Sequence, residues 1–123
     1  MWKLEKAWTD RNTGYGCNVK KCSMPELNDR PATYYYCGYV YFFRPSDWLI
    51  EDGNLYAFRD VLVHGGVTFV KNVDSRLAVV GFDTNHFCDH GPDGTCLWNL
   101  DDVVEQTELM AMGVKRLVDG WTR

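Results

Sequence analysis

No stretch of this chain approaches the roughly 20 consecutive apolar residues that a membrane-spanning helix needs, which predicts a protein without membrane association. A basic surplus is also missing. Thirteen lysines and arginines face 17 aspartates and glutamates, a formal charge of −4, and that balance argues against a domain that works by neutralising nucleic-acid backbones. The segment Met1-Trp2-Lys3-Leu4-Glu5-Lys6 has no apolar signal core and no small-residue cleavage site, so a cytoplasmic protein is expected. An even cysteine framework is absent as well: Cys17, Cys22, Cys37, Cys88 and Cys96 are five, irregularly spaced, and reduced thiols are the default. Internal repeats, linkers and low-complexity tracts are not found, and 123 residues suit one domain able to bury its own core.

Aromatic residues are plentiful, at 15% of the chain. Tyr34, Tyr35, Tyr36, Tyr39, Tyr41, Phe42, Phe43 and Trp48 cluster in one stretch, which predicts a strand over residues 32–43 ended by Arg44-Pro45-Ser46-Asp47. In that strand Tyr35, Cys37, Tyr39, Tyr41 and Phe43 share one side and Tyr34, Tyr36, Gly38, Val40 and Phe42 the other. Both sides are apolar, so burial on both is expected, with Tyr35, Tyr39, Tyr41 and Trp48 as the candidate binding residues if a recognition face is left open. Residues 61–64 and 67–70 flank Gly65-Gly66, which suits a hairpin or an irregular crossing. Residues 77–82 read as a central strand.

Residues 1–30 are polar and broken by Asn12-Thr13-Gly14-Tyr15-Gly16 and Asn28-Asp29-Arg30-Pro31, which predicts an irregular N-terminal extension with at most a short helix or strand. A strand-rich body over 32–98 follows. Over residues 100–118 the apolar positions Val103, Val104, Leu109, Met110, Val114, Leu117 and Val118 recur at helical spacing, with Asn99 or Asp101 as cap. The expected architecture is therefore α+β: a small antiparallel or mixed sheet of three to five strands with one C-terminal amphipathic helix packed on it. Charge is unevenly placed along the chain. Lys3, Lys6, Arg11, Lys20 and Lys21 fall early, whereas Asp83, Asp89, Asp93, Asp101, Asp102, Glu105 and Glu108 crowd the last third.

The chemistry-bearing residue types gather in residues 64–89. Asp83, His86 and Asp89 stand three apart, a spacing that projects side chains to one side of a tight turn. His64 reaches the same place if its strand neighbours theirs. Together His64, Asp83, His86 and Asp89 form an N/O donor set of the kind that holds Zn²⁺, Mn²⁺ or Fe²⁺, with Glu105 or Glu108 as general base or outer acceptor. The same four side chains serve equally as a hydrogen-bonded structural network. Two further constellations are weaker: a zinc knuckle from Cys17 and Cys22, or from Cys88, His90 and Cys96, and a Cys88 thiolate paired with His86 or His64.

Read in order, Cys37-Gly38-Tyr39-Val40, His64-Gly65-Gly66-Val67-Thr68-Phe69, Gly81-Phe82-Asp83-Thr84-Asn85-His86, Asp89 and the closing acidic helix resemble a family of small bacteriophage-encoded proteins of unassigned function. The likeness spans residues 34–112. It implies a viral protein in the host cytoplasm, and by analogy of setting a host-directed binding protein that disables a bacterial defence factor, with a host protein or a small nucleotide as partner. The first 30 residues and the loop over 88–96 lie outside that pattern. A small metal-binding domain or metal-dependent hydrolase built on the His/Asp cluster is the alternative.

Overall fold

The computed structural model describes residues 1–121. Five strands, β1 (Trp2–Thr9), β2 (Gly16–Met24), β3 (Thr33–Phe43), β4 (Phe69–Asn72) and β5 (Leu77–Asp83), precede one helix, α1 (Leu100–Trp121). All paired strands run antiparallel, in the order β1-β2-β3-β5-β4. The expected α+β class, a five-stranded open sheet with the C-terminal helix on it, is the one observed. The helix runs three residues beyond the expected 118.

The N-terminal 30 residues are not irregular. They form the β1–β2 hairpin, whose turn is fastened by the buried Asp10 carboxylate, which accepts from Thr13 N at 3.0 Å and Thr13 Oγ1 at 2.6 Å. The apolar alternation is weak here because β1 is an edge strand and needs only one shielded row. One irregularity interrupts it. Leu4 pairs with Lys20 and Lys6 with Val19, so Glu5 sits in a β-bulge without a partner of its own.

β3 lies third in the sheet, and its alternation decides the architecture. Tyr36, Gly38, Val40 and Phe42 face inward, where Cys17 and Val19 of β2 and Val80 and Phe82 of β5 flank them. Against that face α1 sets Val103, Thr107, Met110, Ala111 and Val114, a helical stripe that is buried throughout. The segment between β3 and β4 also crosses this side and adds Trp48, Ile50, Phe58 and Val61 to the same core. Burial on both faces of β3 was the expectation; only this face is covered. On the opposite face Tyr35, Tyr39 and Tyr41 remain half-exposed and Phe43 is 65% exposed, because one helix and one crossing segment suffice to cover a single side.

Residues 61–63 are not a strand, and Gly65-Gly66 is not a hairpin. A turn closed by Gly66 N to Val63 O (2.9 Å) leads by way of Thr68 into β4, so the glycines redirect the chain from the helix side of the sheet to its edge.

Helix and sheet approach closely at Gly38, where a Cβ atom would collide with Thr107 Oγ1 and the Phe82 ring. Alanine at this position must lever α1 away from β3, so Gly38→Ala is expected to cost about 1–3 kcal/mol, read as a lower urea midpoint at unchanged slope.

Candidate functional site

β5 ends in Asp83, and Thr84 extends its pairing: Thr84 N donates to Tyr36 O and Tyr36 N to Thr84 Oγ1, both at 2.9 Å. Past that lock the chain turns sharply. Asn85 N donates to Asp83 Oδ1 (2.9 Å), and a single 3-10 turn, Phe87–Asp89, brings Asp89 back under His86. Asp89 N donates to His86 O while His86 N and His86 Nδ1 both donate to Asp89 Oδ2, all at 2.9 Å. The other carboxylate oxygen, Oδ1, accepts from His64 Nε2 at 2.7 Å and from Trp98 Nε1 at 2.8 Å. Asp89 is 2% exposed.

An ionised carboxylate offers about four acceptor positions and no proton. All four are occupied, so the ring nitrogens facing it, Nε2 of His64 and Nδ1 of His86, carry the hydrogens. Burial by itself pushes the Asp89 pKa up, but the His86 N–H, the Trp98 indole, the His86 ring and the His64 charge outweigh it, and the net pKa lies below the ordinary carboxylate value.

Each partner is placed by a different part of the fold. The His64 amide donates to Gln106 Oε1 of α1 at 2.9 Å, and its ring lies 4.5 Å, centroid to centroid, from Trp98. The two imidazoles meet edge to face at 5.4 Å. The His86 ring rests on Gly65 (φ +69°), where a Cβ atom would come within 2.5 Å of Cε1; both the backbone angle and the close approach require glycine.

Three of the four expected donors thus converge: ligand-capable atoms of His64, His86 and Asp89 lie within 4.8 Å of one another. Asp83 stands outside this trio. It faces the remaining His86 nitrogen, Nε2, at 3.8 Å and accepts from Thr68 Oγ1 at 2.9 Å. As they stand, the contacts of Asp89 are those of a hydrogen-bonded network, in which the two ring nitrogens facing the carboxylate and the Trp98 indole occupy its oxygens.

Glu105 and Glu108 are not part of the site. Gln106 turns toward His64, and Glu108, two residues on, points about 200° away around the helix, where its charge acts on the core thiol of Cys17. Glu105 is exposed. Trp48 lies apart from Tyr35, Tyr39 and Tyr41, on the covered side of the sheet, buried against Phe42 and Phe58.

The cysteine constellations do not assemble. Cys17 and Cys22, five apart on β2, face opposite sides of the sheet, Cys88 is exposed, His90 bonds Tyr34 O, and Cys96 is buried with its thiol toward Trp98 O. Burial pushes the Cys17 and Cys37 thiols up to about 12 and raises that of Cys96, leaving them protonated and unreactive.

On the uncovered face of the sheet, Trp2, Tyr35, Cys37, Tyr39, Thr68, Phe69, Asp83, Asn85 and His86 line a cleft of about 390 Å³. Trp2 meets Tyr35 edge to face at 5.9 Å, and Tyr39 meets Phe69 the same way at 5.7 Å. Burial raises the pKa of both Tyr35 and Tyr39, so the walls present phenols, never phenolates, at physiological pH. His86 Nε2 and Asp83 Oδ1 close one end. Tyr35 and Tyr39 were legible as candidates from the alternation of β3. Trp2, Phe69, Trp98 and Gln106 were not, because each is a single residue brought in by tertiary structure.

Comparison with protein-family models, with curated proteins and with solved structures finds no match. Among the described residues no helix is long and apolar enough to cross a membrane.

Replacing the buried acceptor should be costly. Asp89→Asn turns an amide N–H₂ toward donors and should lose about 3 kcal/mol of unfolding free energy at pH 7. Because the folded-state pKa of Asp89 is depressed, its stabilisation is full above the ordinary carboxylate pKa and lost as the pH falls through the folded value. In urea titrations from pH 7 downward, the gap between wild type and variant should therefore narrow only below about pH 4.

Proposed function

We propose that the chain is a binding protein whose recognition surface is the uncovered face of the sheet, and that its ligand presents a planar heteroaromatic ring of the nucleobase class. The observation that supports this most is the cleft between Trp2, Tyr35, Tyr39 and Phe69, which ends at His86 Nε2 and Asp83. Its volume falls in the range of small-ligand sites. Aromatic walls give stacking of about 1–3 kcal/mol per base with little regard to base identity, while Thr68, Asp83, Asn85 and His86 supply polar groups able to read a ring edge.

The Asp89 network supports a binding role more than a catalytic one. It holds His86 rigidly, yet beside the imidazole the cleft sets protonated phenols, the protonated Cys37 thiol and a Thr68 hydroxyl that donates to Asp83 rather than to His86. In the phage-encoded, host-cytoplasmic setting implied by the motifs, such a protein sequesters a nucleotide or occupies a host defence factor that handles one.

A metal-dependent hydrolase is the second reading, carried by the proximity of His64, His86 and Asp89. Elemental analysis of purified protein separates the two: a stoichiometric, chelator-removable transition metal would favour the hydrolase and overturn the network described for Asp89.

Nucleoside monophosphates titrated at pH 7 should quench tryptophan emission saturably below about 1 mM. Tyr39→Ala should weaken that binding by about 1–3 kcal/mol while the unfolding midpoint shows the protein still folded. Undiminished affinity in folded Tyr39→Ala, or no saturation by any of the four nucleotides, would overturn the proposal.

A further inference from the structure

The cleft does not end at Tyr39. On its far side Tyr39 and Phe69 also wall a second depression of about 380 Å³, completed by Lys20, Tyr41, Lys71, Asn72, Val73 and Val79. The register explains the continuity. Tyr39, Gly81 and Phe69 stand opposite one another across β3, β5 and β4, and Tyr41, Val79 and Lys71 form the next row on the same face. A side chain at Gly81 would strike the Tyr39 ring; without one, Tyr39 lies across β5 to Phe69 and serves both depressions. Two residues of strand, about 6.8 Å, separate the rows.

Charge on this face runs against the charge of the chain. Lys20 Nζ sits 5.4 Å from the Tyr39 ring centroid, Lys71 is exposed, and Arg76, in the β4–β5 turn, lies over Phe43 at 5.8 Å. The strands contribute one carboxylate here, Asp83, at the opposite end; at the rim Asp74 is held by the Arg76 and Leu77 amides of the same turn, and Asp52 by Asn72. The acidic surplus resides elsewhere, notably on α1, which carries Asp101, Asp102, Glu105, Glu108 and Asp119 against Lys115 and Arg116. The net charge of −4, which spoke against a phosphate-binding chain, therefore does not describe the aromatic face.

The geometry points to a single-stranded polynucleotide as the occupant: one base stacks in the Trp2–Tyr35–Tyr39 cleft, the next over Tyr41, and Lys20 and Lys71 hold the phosphates of the connecting backbone. This rests on the nucleobase reading of the first cleft and extends it from a mononucleotide to a strand. A duplex is excluded by the need to expose base faces to the tyrosines. The sheet face carries no feature that distinguishes ribose from deoxyribose, so both backbones belong in the test.

The experiment compares uridine monophosphate, oligouridylate and oligothymidylate of six residues, and a polyglutamate of equal charge, by fluorescence titration across 50 to 200 mM salt. Either oligonucleotide, or both, should bind at least about tenfold tighter than the monophosphate. Lys71→Ala, a change confined to the second depression, should cut that advantage and lessen the slope of log K against log salt by about 0.7, the value for one phosphate on a single strand, with monophosphate affinity unchanged. Monophosphate binding without an oligonucleotide advantage would overturn the strand proposal and leave the nucleobase cleft standing. Polyglutamate competing as well as the oligonucleotides would assign the face to an acidic protein surface and overturn it too. Loss of all nucleotide binding would sink the nucleobase reading itself.

Discussion

One buried carboxylate ties the molecule together at its functional end. Asp89 accepts from two imidazoles, an indole and a backbone amide, and these donors come from the turn before β4, the turn after β5 and the segment leading into α1. An anion so placed is tolerated only because every acceptor position is filled. That requirement dictates the rest: Gln106 fixes the His64 backbone, Gly65 makes room for the His86 ring, and the orientation of His86 fixes where its Nε2 faces. The polar end of the aromatic cleft is thus set from behind, by groups a ligand never touches.

The uncovered sheet face follows from a shortage of cover. One helix and one crossing segment shield the side of β3 that carries Tyr36, Val40 and Phe42, and nothing in the described residues remains to lie over Tyr35, Tyr39 and Tyr41. A strand aromatic on both faces in such a fold turns one set of rings into core and the other into surface. The phenols stay half-exposed without an energetic penalty, since a tyrosine shields its ring against neighbouring side chains and keeps its hydroxyl wet.

How much of this could be read from residue order varies with the length scale of the signal. The alternation of β3, the apolar run of β5 and the helical stripe from Val103 to Val114 are local periodicities, and they announce the sheet, its helix and the α+β class. The N-terminal hairpin is hidden because β1 is an edge strand with a bulge, and because Asp10 and Gly14 make a tight turn resemble a long loop. For the site, residue type and spacing single out His64, His86 and Asp89, but the direction of a helical side chain depends on phase. Residue type therefore points to Glu105 and Glu108 more readily than to Gln106, the one whose side chain meets His64. Trp2 and Trp98 have no local pattern at all; only the folded chain brings the first residues of the sheet against Tyr35 and the approach to the helix against Asp89.

The bulge at Glu5 bears on how such a surface survives in concentrated solution. An open sheet with bare aromatic rings invites a second chain to dock edge to edge and grow, yet its outer strand is kinked where Leu4 and Lys6 lose step and is studded with Lys3, Glu5 and Lys6, while the other edge, β4, is four residues long. Neither border offers a straight, uncharged ladder for a neighbouring strand to extend. Defects confined to the margins work against edge-to-edge growth while leaving the middle of the sheet open.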